Sequence, residues 1–233
     1  MAGVFEIADG FIDTVAKHHP LSATHMGVPG FDHLMPDYTP EAGEGFHNDV
    51  LAAYKDMQAA EPTNERERMC KDTFIDEISL SIEQYESREH LRDMNVLFSP
   101  VQSVRSIFDL MSQDSAEAWE NIASRMEKIG ESLDGYRRAL DVGRSEGLVT
   151  SIRQVSGTAE QCEVWSGNGD NDPFFDSMIA AFSASDISDD ALARRIENAA
   201  HLATDAYATM GEYLRNEYLP DATTVDGVGR DRY

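Results

Sequence analysis

Basic residues are scarce in this chain: 19 lysines and arginines stand against 43 aspartates and glutamates in 233 residues, a formal net charge of −24. A chain so negative is repelled by phosphate backbones and anionic lipid, which excludes nucleic acid and anionic membranes as partners. Cysteine is scarcer still. Cys70 and Cys162 stand far apart in the sequence, too few for a disulfide framework, and read as reduced thiols. Nowhere do 18 consecutive apolar residues run together, and the opening MAGVFEIADGF places Glu6 and Asp9 where a secretory signal carries basic and apolar regions. The expectation is a soluble, cytoplasmic protein with no membrane partner.

Catalytic signatures are also missing. No histidine is followed by glutamate, so H-E-x-x-H cannot be written anywhere, and G-x-S-x-G is absent. Gly227 and Gly229 in DGVGRDRY lack the third glycine and the following βα unit of a dinucleotide-binding turn. Asp170, Asn171 and Asp172, with Asp176 beyond them, begin like a calcium loop but fail its pattern after the second ligand. Glycine, proline and serine never gather into a linker, so one multi-helical domain over residues 1–233 is expected.

What is present is a 41% hydrophobic content, too apolar for a disordered acidic tail, arranged at helical spacing. Leu192, Ile196, Ala199, Ala203, Ala206, Met210 and Tyr213 make one long stripe. With Ser188 as N-cap and Pro220 as the far limit, that stripe predicts a helix over 189–218. Val4, Ile7, Phe11 and Val15 predict another over 3–18. Thr39-Pro40-Glu41 opens a helix over 40–60 that carries Phe46, Val50, Tyr54 and Met57. Asn64 and Glu67 cap a third, with Phe74, Ile78, Ile82 and Tyr85 on its buried side, reaching to about Leu91. Shorter stripes follow at Val104–Met111, Trp119–Ile129, Tyr136–Leu140, Ile152–Cys162 and Phe174–Phe182. Met94 to Phe98 is apolar but has no strand to pair with, and reads as a connector. The fold class is all-α.

Several side chains invite a chemical reading beside a plainer one. His18, His19 and His25 flank a proline and the irregular LSATHMG stretch, where they suit helix ends better than a metal. Asp76 and Glu77 diverge around a helix and suit a solvated face better than a shared proton. Arg105, Arg153 and Gln154 could face a cleft and hold a carboxylate-bearing ligand, although 43 acids offer surface partners everywhere.

The segment Pro20, Ala23, Thr24, Gly27, Phe31, Asp32, Leu34, Pro36, Asp37, Thr39, Pro40, Glu41 resembles the opening of the bacterial DUF885 family. The pieces NVLFSPVQSVRSIFDLM (95–111), the Trp119 to Met126 helix, GLVTSIRQV (147–155) and YLPDATTVDGVGRDRY (218–233) extend the resemblance along the chain. It implies a fold like the N-terminal half of neurolysin-like, zincin-type helical metallopeptidases of the M3 and M32 kind. It also implies a peptide-like substrate and a zinc ion held by the other, catalytic half. No metal ligand or catalytic residue therefore maps onto this chain, which is expected to be silent alone, with Arg230 and Tyr233 as substrate-facing residues. Surface uncovered by the missing half is expected to drive homo-oligomer formation through the Ala199 to Tyr213 helix or the C-terminal segment. The competing reading is a stand-alone helical binding or scaffold module.

Overall fold

The computed structural model describes residues 2–168 and 172–227. Among the described residues there are nine α-helices: α1 (Val4–His18), α2 (Pro20–Met26), α3 (Pro40–Ala59), α4 (Glu65–Glu86), α5 (Pro100–Ser106), α6 (Ala116–Ser145), α7 (Ile152–Trp165), α8 (Asp176–Ser183) and α9 (Asp190–Tyr213). A 3-10 turn (Glu89–Arg92) links α4 to the connector before α5, and a π-turn (Leu214–Tyr218) extends α9. No strand forms among these residues. A single parallel bridge joins Ser151 to Thr223. No helix among them is long and apolar enough to cross a membrane.

The helix starts follow capping chemistry. Thr39, Asn64 and Ser115 each accept from the N–H three residues on, opening α3, α4 and α6. Asp189, rather than Ser188, caps α9, because its Oδ1 accepts from both Ala191 and Leu192 N–H at 2.9 and 3.0 Å. The LSATHMG stretch is not irregular. Pro20 at the first position starts a short helix, and Gly27, at φ 73°, stops it in the left-handed conformation. The third helix stops at Glu86, short of Leu91, where Arg88 turns the chain with a φ of 63°. The Trp119 and Tyr136 stripes belong to one 30-residue helix, α6.

Two apolar clusters result. The larger is built by α5 to α9 and centred on α6 against α9, where Gly130 faces Ala206 and the small side chains Ala199 and Ala203 are fully buried. Ala199, Ala200, Ala203, Tyr207, Met210 and Tyr213 are inside the bundle, while Leu202 on the same helix is exposed. The smaller cluster joins Val4, Met57 and Ala60 of the α1–α3–α4 layer, with Phe74 and Ile75 packed on it.

Polar groups tie the two clusters together. Arg125 on α6 has 0% exposure. Its Nε donates to Leu34 O at 3.0 Å, and its Nη2 donates to Thr24 Oγ1 at 2.7 Å and to the Pro20 and Phe31 carbonyls at 3.3 Å. Burial pushes its pKa down to about 10, with Asp32 countering, so the guanidinium stays charged at neutral pH. Ser132 Oγ donates to Pro36 O at 2.7 Å. At Gly135 a Cβ would lie 3.0 Å from Thr39 N, so only glycine lets α3 begin this close to α6.

Arg125→Ala leaves three carbonyls and the Thr24 hydroxyl short of a donor inside the protein. A loss of about 3 kcal/mol or more is expected from urea unfolding; a loss below about 1 kcal/mol would show that water replaces the guanidinium freely.

Candidate functional site

A cavity of about 780 Å³ lies along the seam between the two clusters. The α3 and α4 helices give it Phe46, His47 and Tyr85, and the 3-10 turn and the start of the connector give His90, Asp93 and Met94. The opposite wall is the loop from Gly147 into α7, together with residues 223–227.

Each wall is fixed by polar contacts rather than by a sheet. Tyr136, buried on α6, donates its hydroxyl to Asp93 O at 2.6 Å. Thr150 Oγ1 donates to Met94 O at 3.2 Å, and Thr150 N–H donates to the buried Tyr218 hydroxyl at 3.1 Å. Val96 N–H donates to Gln154 Oε1 at 3.1 Å, and Gln161 Nε2 donates to Val96 O at 3.0 Å. These bonds fix the Met94 to Phe98 connector, which turns over residues 96–98 as Asn95 Oδ1 accepts from the Leu97 and Phe98 N–H groups, without a strand partner. Gly143 completes the arrangement: a Cβ there would lie 2.4 Å from Leu91 O, so this glycine lets the 3-10 turn press against α6. The last wall segment is stitched on by Ile152 N–H to Thr223 O at 2.9 Å and Thr223 N–H to Thr150 O at 3.0 Å.

One end of the cleft is aromatic. Tyr85 is sandwiched between His47 at 4.2 Å and 15° and His90 at 4.3 Å and 3°. Partial burial, then the charges of Arg88 and His47, hold the His90 pKa below its ordinary value. Burial, then Glu44, pushes the Tyr85 hydroxyl up, with Arg88 countering. Burial also pushes Asp93 up. The site therefore combines an aromatic face with an acid whose proton is held more tightly than usual.

Of the residues singled out in the sequence, Gln154 lines the cleft. Arg153 pairs with Asp226 at 3.4 Å on the exposed side. Arg105 does not line the cleft; it pairs with Asp109 and rests its guanidinium 3.9 Å from the Phe174 ring centroid. His18 bonds Asp49 at 2.8 Å, His19 packs edge-on to Phe46, and His25 bonds Leu21 O at 2.8 Å across its own helix. Asp76 and Glu77 are exposed. Gly227 lines the cleft; Arg230, Tyr233, Gly229, Asp170 and Asn171 lie outside the described residues.

The sequence reading missed His47, His90 and Ser151. His47 is the neighbour of a stripe residue, and only the chain reversal after α4 brings His90 onto the second face of Tyr85.

The implied zinc finds no donor set here. Among the described residues no three His, Cys, Asp or Glu side chains gather as metal ligands. The two cleft histidines are separated by the Tyr85 ring, which fills the space an ion would occupy between them. No chemical step is routed through zinc in this part of the protein.

Comparison with known proteins finds a matching family and solved structures of similar fold. The family model described as "Bacterial protein of unknown function (DUF885)" matches residues 20–233. The solved structure of a "putative lipoprotein from Colwellia psychrerythraea" is similar at a TM-score of 0.70 and 11% sequence identity. That likeness covers 92% of this chain and 40% of the other, so the chain spans less than half the length of the protein whose fold it shares. No curated protein matches.

The His90 shift has a defined pH consequence. Its folded pKa is depressed, so below the ordinary histidine range the unfolded chain binds a proton that the folded chain refuses. Stability then falls as the pH drops from about 7.5 to about 5.5. His90→Phe, which keeps a ring on Tyr85, should show a smaller drop in urea midpoint over that interval; an identical drop would remove His90 from the account.

Proposed function

The chain belongs to the DUF885 family, and from that membership we propose that it forms one wall of a substrate cleft in a metal-dependent, peptidase-like hydrolase. The observation that carries the reading is the cleft itself. Its volume of about 780 Å³ falls within the roughly 300–1,000 Å³ of small-ligand sites. It also brings polar groups from α3, α4, the 3-10 turn and α7 onto one space. The aromatic face of Tyr85 and its two histidines suits the side chain of a bound peptide, while the backbone at 147–154 and 223–227 offers it peptide-like partners. The metal, the activated water and the groups that stabilise the reacting carbonyl belong to the remainder of such a protein. This assignment draws on the 40% of the Colwellia protein that the chain matches. The two free thiols, Cys70 and Cys162, support a reducing, cytoplasmic setting.

A second reading, a stand-alone helical binding or scaffold module without catalysis, draws on one observation. Leu97 and Phe98 are adjacent in the connector and 67% and 80% exposed, a placement that favours a protein contact.

The purified chain with added zinc should not turn over fluorogenic peptides. Titration with the uncharged N-acetyl-trialanine amide should shift the ring resonances of His47 and His90 saturably. Peptide hydrolysis by this chain alone would overturn the division of labour. Rings that stay still at about millimolar peptide would favour the second reading.

A further inference from the structure

The α7 helix opens into the cleft with its cap unfinished. At α3, α4, α6 and α9 the cap side chain accepts a first-turn N–H. Ser151, the N-cap of the 14-residue α7, accepts none. The Ile152 N–H is taken by Thr223 O, but no acceptor among the described residues takes the N–H of Arg153 or Gln154. Ser151 is 5% exposed and lines the cleft, and its Oγ has no hydrogen-bond partner. Thr158 and Thr204 also have buried hydroxyls without a partner, but of the three only Ser151 lines the cleft, where a ligand can supply the missing acceptor. The Gln154 side chain cannot serve, because its Oε1 is committed to Val96.

Three donors and the positive end of a helix dipole thus meet at one point of the cleft wall. The complementary ligand group is an anion that only accepts. Asp93 and Asp226 line the same cavity, and the chain carries a net charge of −24, a setting that disfavours a phosphate dianion over a single negative charge. A planar carboxylate also matches adjacent N–H groups with its two oxygens.

We propose that the N-terminal end of α7 is a carboxylate subsite of the cleft, in which the N–H groups of Arg153 and Gln154 and the Ser151 hydroxyl donate to a ligand carboxylate. This rests on the substrate-cleft reading and gives the substrate a class: a peptide bearing a carboxylate, either its C-terminus or an acidic side chain. Asp226 stays on Arg153 at the exposed side, and the ligand takes the backbone donors.

The test follows the amide resonances of Arg153 and Gln154 under titration with three N-acetylated tripeptides: trialanine with a free C-terminus, Ala-Glu-Ala amide and trialanine amide. Saturable shifts of both amides with one of the carboxylate peptides and not with trialanine amide are expected, and the effective peptide identifies the source of the carboxylate. Ser151→Ala, which removes no hydrogen bond within the fold, should weaken that binding about 5- to 10-fold while the circular dichroism spectrum is unchanged. Equal shifts from all three peptides, stronger shifts from inorganic phosphate, or an unchanged affinity in Ser151→Ala would overturn the subsite. If the His47 and His90 rings respond to every peptide while the two amides stay still, the subsite fails and the cleft stands. If neither rings nor amides respond, both fail.

Discussion

The buried guanidinium of Arg125 is the constraint on which the geometry of this protein depends. Withdrawing such a charge from water costs several kcal/mol, and here the cost is offset by the Pro20, Phe31 and Leu34 carbonyls, the Thr24 hydroxyl and the nearby Asp32 carboxylate. All of those partners lie between residues 20 and 36, in a stretch with one short helix that buries Pro20, Leu21 and Ala23. Without a shared hydrophobic core between the α1–α3–α4 layer and the main bundle, that stretch is what orients α3 against α6. The Ser132 bond to Pro36 O and the close approach at Gly135 continue the same fixing up to the first residue of α3. His47 stands two turns further along, so the position of one cleft wall is set by a side chain on the far side of the seam.

The cleft exists because apolar packing stops at that seam. Helix α4 contains no fully buried residue, and the connector from Met94 to Phe98 buries little beyond Met94 itself. Where hydrophobic burial is thin, directional bonds decide the structure, and Tyr136, Thr150, Gln154, Gln161 and Tyr218 supply them. A wall built this way keeps polar backbone within reach of a ligand, whereas a close-packed apolar interface would have sealed it. The same economy explains the cations. Most arginines near the surface are held by acids, as Arg105 is by Asp109 and Arg215 by Glu163.

Helical periodicity made the long elements legible and said little about the site. The stripes through Val15, Val50 and Ile196 report which face of a helix is buried, and α1, α3 and α9 run close to the expected limits. A seven-residue helix such as α2 is too short to complete two turns of a stripe, so Leu21 and Ala23 looked irregular. Ser188 and Asp189 are both good caps, and only the two bonds made by the Asp189 carboxylate choose between them. The expected end at 218 reflects a real continuation of the apolar pattern, but the chain continues as a π-turn in which Leu214 and Tyr218 are both buried. The stacking of His47 and His90 on Tyr85 has no signature in the sequence, because it depends on the left-handed turn at Arg88. Periodicity encodes burial along one element and cannot encode which elements meet.

The pieces of sequence that carry the family resemblance have two physical meanings. The opening piece, from Pro20 to Glu41, is the partner of Arg125 and the cap of α3, so its residue types answer to structure. The later pieces meet one another. Val96, from the piece beginning at Asn95, bonds Gln154, from the piece beginning at Gly147. Thr150 of that second piece bonds Tyr218, and Ile152 bonds Thr223, both from the last piece. Three segments distant in sequence are therefore joined by direct hydrogen bonds around a single cavity, and the unfinished cap of α7 lies at their junction. The cap side chains of α3, α4, α6 and α9 each close at least one first-turn donor, while α2, α7 and α8 have no side-chain cap bond. What sets α7 apart is the place: its open donors and the buried, unpartnered Ser151 hydroxyl stand where the three segments converge on the cavity.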